Sequence, residues 1–179
     1  MLFLNLVMDS LGALLLGKEP TRDSYMNHAP KRRDESIISK NIFIQFVTMG
    51  LYVTALSIIW FEVPVFRTFF DTEMQFRTGY FAFFIFISIM NGFNVRTDGF
   101  KIFSDLDKNE NFMKIWLAML GVTVLLCMID IIPGLGFIGE MFETTHFGLK
   151  GWGIVLAMAV TIIPVDMLRK AIFQTQKNE

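Results

Sequence analysis

Five long apolar stretches constrain this chain more than any other feature: about 1–17, 41–63, 79–95, 115–132 and 151–167 of its 179 residues. Each approaches the roughly 20 residues a helix needs to cross the hydrocarbon of a bilayer. Each is too long for a strand, and a helix satisfies its backbone hydrogen bonds within one segment, as lipid requires. The expected fold class is all-α: a polytopic membrane protein, a bundle of five transmembrane helices. Composition points the same way. Hydrophobic residues make up 53% of the chain, 20 residues are Phe, and only 18% are charged, against about 25% charge in an ordinary soluble domain.

The segments between the stretches are short and punctuated by turn residues. Pro20 and Pro30 lie in the first, Pro64 opens the second, and Ile132-Pro133-Gly134-Leu135-Gly136 opens the fourth. Their charges alternate. Lys18, Arg22, Lys31, Arg32, Arg33 and Lys40 precede the second stretch, and Arg96, Lys101, Lys108 and Lys114 precede the fourth. Arg169, Lys170 and Lys177 follow the fifth, while Arg67, Arg77 and Lys150 alone occupy the other side. Basic residues gather in cytoplasmic segments, so the C-terminus is expected in the cytoplasm and Met1 at the outer face. Such a start suits a piece of a longer chain cut after an outer hairpin. No basic segment precedes the first stretch and no small-residue cleavage site follows it, so no secretory leader is expected. The single cysteine, Cys127, lies in an apolar run and excludes a disulfide framework within one chain.

The first stretch carries the chemistry. Asp9 is a carboxylate near the middle of an apolar helix, a depth at which ionisable groups pair or bind ions in a bundle interior. Asn5 precedes it by one turn, so its amide oxygen shares a face with the Asp9 carboxylate. Two oxygen ligands suit a hard cation such as calcium, which takes six to eight oxygens. A polar pair that binds helices together is the competing reading. Other candidates are weaker. Asp105, Asp107 and Asn109 resemble the opening of a calcium-binding loop, but Glu110 stands where that loop needs Gly and Trp116 where it needs Glu. The cluster Gly134, Gly136 and Gly139 lacks a phosphate-binding lysine and reads as an outer turn. Asp166 with Arg169 and Lys170 has the spacing of a surface ion pair at a helix end. His28 and His146 stand alone in loops.

The run Asn5-Leu-Val-Met8-Asp9-Ser-Leu-Gly, followed by Gly17-Lys-Glu19-Pro20, resembles the sixth transmembrane helix and following loop of P-type calcium ATPases. Ala29-Pro30-Lys31-Arg32 through Ile37-Ile38-Ser39 looks like the basic loop before helix seven, and Ser88-Ile-Met-Asn91-Gly-Phe-Asn94 like the end of helix eight. Phe103, Leu106, Asn109 and Phe112 follow the pattern entering helix nine, and Ile163-Pro164-Val165-Asp166 that of helix ten.

The resemblance implies a C-terminal cation-transporting ATPase transmembrane domain over 1–179, helices six to ten of a calcium pump. It implies metal ligation by Asn5 and Asp9, with further ligands from helices four and five. Met8 stands where two-site pumps have a Thr ligand and Ser88 where they have a Glu, so the pattern resembles the one-site pumps of plasma-membrane type. Calcium is then the transported ion. ATP and magnesium belong to upstream domains, whose Asp-Lys-Thr-Gly-Thr motif this chain lacks, so the chain alone is expected to be inactive. The expected partners are the lipid bilayer and the upstream helices and cytoplasmic domains of the same pump, with no nucleic acid. The segment after Ile172 leaves no room for a long calmodulin-binding autoinhibitor, which favours a multi-pass protein of a bacterial cell membrane. A calcium/manganese pump of the same family and a non-catalytic structural membrane protein are the alternatives. A secondary transporter would show matched repeats or broken helices, and no such pairing stands out.

Overall fold

The computed structural model describes residues 2–17, 40–96, 100 and 110–175, with side chains from 9–17, 40–96, 100 and 111–173. In chain order its helices are α1 (Leu2–Gly17), α2 (Lys40–Glu62), α3 (Glu73–Arg96), α4 (Glu110–Cys127), α5 (Gly136–Phe142), α6 (Leu149–Val160) and α7 (Ile162–Thr175). Short 3-10 turns at Pro64–Phe69 and Ile129–Ile131 precede α3 and α5. No strand occurs among the described residues. Three segments are long and apolar enough to cross a membrane: Lys40–Glu62, Glu73–Arg96 and the nearly continuous Leu149–Phe173, with Asn111–Cys127 a shorter apolar helix. The protein is an all-helical membrane bundle.

Helix α3 runs through the middle. It touches α1, α2, α4, α6 and α7, and Phe76, Phe83, Ile87 and Ile89 are fully buried along it. Its neighbours cover it except along one stripe, where Arg77, Phe84, Ser88 and Val95 stay exposed. Helix α2 is its opposite: only Met49 and Trp60 are buried, and Phe46 is 77% exposed. In water such a face would be a liability, but lipid tails accept it.

The α2–α3 hairpin turns at Pro64. Val63 is extended (φ −88°, ψ 113°), because the following proline ring disfavours the helical region. An aromatic cage then closes over Trp60. Phe83 stacks on it at 5.4 Å with an 11° interplanar angle, and Phe66, Phe70 and Phe76 surround it.

Phe70 in turn wedges between α3 and α6, where glycines make room. A Cβ on Gly79 would lie 2.4 Å from the Phe70 ring, and one on Gly151 2.7 Å from both Phe70 and Phe147. Small residues that let helices approach are what membrane interfaces use.

The fifth apolar stretch lies within one span, Leu149–Phe173, with a local irregularity at Thr161, whose backbone stays helical (φ −60°, ψ −21°). Pro164 has no N–H to offer the Val160 carbonyl. The Thr161 hydroxyl donates to the Met158 carbonyl and accepts from the Tyr52 hydroxyl of α2 at 2.7 Å.

The Phe70 wedge makes a directional claim. Gly79→Ala forces a buried ring to move and should destabilise the bundle by about 1–3 kcal/mol, as overpacking does. A Cβ at Gly50 of α2 meets nothing within 4 Å, so Gly50→Ala should be neutral or mildly stabilising, by up to about 1 kcal/mol. Thermal unfolding of the two variants in detergent, followed by circular dichroism, checks the contrast.

Candidate cation site

Helix α1 lies along α3 and α4. Its inner edge is pinned by Leu15, which is buried with Phe93 and Phe112. The fit is close, since a Cβ on Gly92 would lie 3.2 Å from Leu15 Cδ2. This seating turns Asp9 toward a cavity of about 520 Å³ lined by Asp9, Gly12, Phe84, Ile85, Ser88, Ile89 and Met119. The space beside Gly12 is open, since a Cβ on it would meet nothing within 4 Å. Asp9 itself is exposed.

Ser88 faces Asp9 across this cavity from α3. Its hydroxyl proton goes to the Phe84 carbonyl of its own helix at 2.8 Å, so toward the cavity it offers only neutral lone pairs. The rest of the lining is apolar. Among the described residues no three His, Cys, Asp or Glu side chains converge to hold a metal. One carboxylate and one hydroxyl oxygen fall well short of the six to eight oxygens calcium requires.

Of the two ligand candidates, only Asp9 has a described side chain. Asn5 sits on α1 one turn earlier, but its side chain and that of Met8 lie outside the described residues. Asp105, Asp107, Asn109 and His28 lie outside them altogether.

Two of the expectations change. Asp166 is not a surface residue: it is fully buried, and Lys170 is 2% exposed. The Asp166 carboxylate meets Arg169 Nε at 2.7 Å and Lys170 Nζ at 3.0 Å. The Lys170 ammonium also donates to the Asn94 carbonyl at 2.9 Å. Asn94 lies in the last turn of α3, where carbonyls have no helical partner and a cation is favoured. Asn94 Nδ2 returns a hydrogen bond to the Ile162 carbonyl of α7 at 3.1 Å. The trio locks α7 onto the end of α3.

His146 is not isolated either. Its Nδ1 lies 3.0 Å from Asp130 Oδ2, and Thr145 Oγ1 donates to the same oxygen at 2.7 Å. A sequence separation of 16 residues leaves no local signal for this pair.

With this geometry in view, comparison with known proteins gives the class. Residues 1–172 match the family described as "Cation transporting ATPase, C-terminus", and the chain belongs to that family. More particularly, it is 31% identical to "Calcium-transporting ATPase 8, plasma membrane-type" of Arabidopsis thaliana, over 96% of this chain and 16% of that protein. It is 24% identical to "Calcium-transporting ATPase 2" of Cryptococcus neoformans over 94% of this chain and 12% of that protein. It is 26% identical to "Calcium-transporting ATPase 1" of Bacillus cereus over 94% of this chain and 20% of that protein. The chain thus spans a fifth or less of these relatives' length. They come from plants, fungi and a bacterium alike, and so do not single out a bacterial source.

The buried ion trio supports a quantitative expectation. Removing one member of a buried pair strands the other, so Asp166→Leu should cost about 3–5 kcal/mol. Arg77, whose side chain is 70% exposed beside Glu73, should tolerate Arg77→Ala with a loss below about 1 kcal/mol. Unfolding midpoints in detergent distinguish the two.

Proposed function

We propose that this chain is the C-terminal membrane part of an ATP-driven P-type calcium pump of the one-site, plasma-membrane type. In this reading α1 supplies the ion ligands Asn5 and Asp9, and the later helices form a supporting bundle. The observation that carries the proposal is Asp9. An exposed carboxylate at mid-membrane depth costs about 2.5–3.5 kcal/mol on insertion scales. Asp166 avoids that cost through its two cations, whereas Asp9 faces a cavity shared with Ser88. Helices from the upstream part of a pump would enclose it and bring the missing oxygens. Family membership and the likeness to calcium-transporting relatives support the choice of cargo.

Phosphorylation and ATP binding, with magnesium, belong to upstream domains in this reading. Their action would tilt α1 and its upstream neighbours so that Asp9 faces the two sides in turn. Ser88 brings a neutral oxygen and Met8 a soft thioether to the second site, and neither replaces a hard charged ligand. One divalent ion should therefore move per ATP. The C-terminus is cytoplasmic in this arrangement, as the alternation of basic residues suggests.

The test is ion uptake against ATP consumed in vesicles containing the full-length pump. The expected ratio is near one, and a ratio near two overturns the one-site assignment. Asp9→Asn should abolish calcium-dependent phosphorylation while the protein still assembles, and Met8→Ala should be far milder. Normal transport by Asp9→Asn removes Asp9 as a ligand. For orientation, cysteines at Arg33 and Lys101 should be labelled from the cytoplasmic side and one at Asp71 from outside. The reverse pattern inverts the topology.

A further inference from the structure

The apolar run of α4, from Ile115 just after Lys114 to its end at Cys127, spans only about 20 Å at 1.5 Å per residue. The hydrocarbon core is about 30 Å thick. The chain therefore leaves α4 at Cys127 before it has cleared the lipid, unlike the 25-residue segment Leu149–Phe173 that follows. What comes between is still apolar: Ile131 is 50% exposed and Ile132 37%.

Irregular backbone at that depth must find its hydrogen bonds locally, and this segment does so. The N–H groups of Ile131, Ile132 and Leu135 donate three residues back, to Met128, Ile129 and Ile132. Thr144 N donates to the Gly139 carbonyl at 2.9 Å, and Thr144 Oγ1 caps the Leu126 carbonyl at the end of α4 at 2.9 Å. His146 N is held by Asp130 at 3.0 Å, and Thr145 N by Thr78 Oγ1 of α3 at 3.1 Å.

Helix α5 is then fixed by Gly139. A Cβ there would lie 3.1 Å from the Thr144 carbonyl oxygen and 3.3 Å from Asp130 Cβ, so this face must stay inward. Phe137 and Met141 flank Gly139 by two residues on either side, and 3.6 residues per turn place both nearly opposite it. They are 63% and 75% exposed.

We propose that α5 is an interfacial anchor. It lies in the membrane plane at the end of α4, with Phe137 and Met141 dipping into the boundary between phospholipid headgroups and acyl chains. The occupant of its outward face is the bilayer. Three observations independent of the pump assignment support this: the short apolar run of α4, the locally closed backbone after it, and the glycine that dictates which face turns out. The proposal rests on the chain being a membrane bundle and not on what it transports.

Spin labels on the full chain in phosphatidylcholine vesicles test it. Cysteines are introduced singly at Phe137, Met141 and Glu143 in a Cys127→Ala background, with Leu117 of α4 as a reference. Leu117 is 55% exposed along the span, and its label should meet oxygen and not a water-soluble nickel chelate. The labels at Phe137 and Met141 should also favour oxygen, at a depth of roughly 5–10 Å below the headgroup surface. The label at Glu143 should favour the chelate. Chelate access at Phe137 and Met141 with a protected Leu117 overturns the anchor. So does exclusion of both reagents there, which would mean that protein covers the face. Chelate access at Leu117 as well defeats the membrane reading itself.

Discussion

Everything in this bundle depends on the enclosure of α3. A helix in lipid gains nothing from apolar contact alone, because the tails are as apolar as its neighbours. What holds α3 in place is fit and polar pairing. Phe70 fills the space left by Gly79 and Gly151, Trp116 Nε1 donates to the Ile89 carbonyl at 3.3 Å, and Lys170 closes the Asn94 end. Beyond these and the few polar bonds to Thr78 and Asn94, the remaining contacts are apolar ones that lipid could supply as well.

Asp166 and Asp9 show how differently environment can treat identical side chains. Asp166 sits between Arg169 and Lys170 with no exposed surface, and its charge is spent on joining α7 to α3. Asp9 occupies a helix whose near neighbours are Phe84, Ile85, Ile89 and Met119, none of which can neutralise it. In the proposed reading, a carboxylate with no neutralising group among the residues described around it is the one left to respond to a cation. In this reading the difference between a structural and a transporting aspartate lies in the surroundings.

How much of the fold is legible in the sequence follows the range of the interactions. Helix α2 is readable because its apolar run and the break at Pro64 are both local. The irregularity at Thr161 is not readable although Pro164 is in plain view, because proline is tolerated within membrane helices when other groups satisfy the backbone; here the Thr161 hydroxyl bonds the Met158 carbonyl, and Tyr52, far away in sequence, holds that hydroxyl. Asp166 reads wrongly as a surface group for a related reason. Its i,i+3 and i,i+4 partners are visible in sequence, but burial depends on Asn94, 76 residues from Lys170. The candidate site is legible only in part: a mid-helix acid announces itself, whereas the cavity joining it to Ser88 depends on how α1 seats against Gly92. The end of α4 falls short of the apolar run because hydropathy does not distinguish a helix from an apolar turn.

The contact between α3 and α6 also bears on how the bundle is made. About fifty residues separate the end of α3 from the start of α6, and at synthesis rates of about 5–20 residues per second that is a wait of several seconds. During that interval the Phe70 wedge has only one of its two glycine walls, and Thr78 and Asn94 face whatever surrounds the nascent helix. A segment that emerges well after α3 is therefore the one that completes the middle of the bundle. A chain stopped before Leu149 would leave its central helix unroofed, and the cell would meet an incomplete membrane core rather than a smaller complete one.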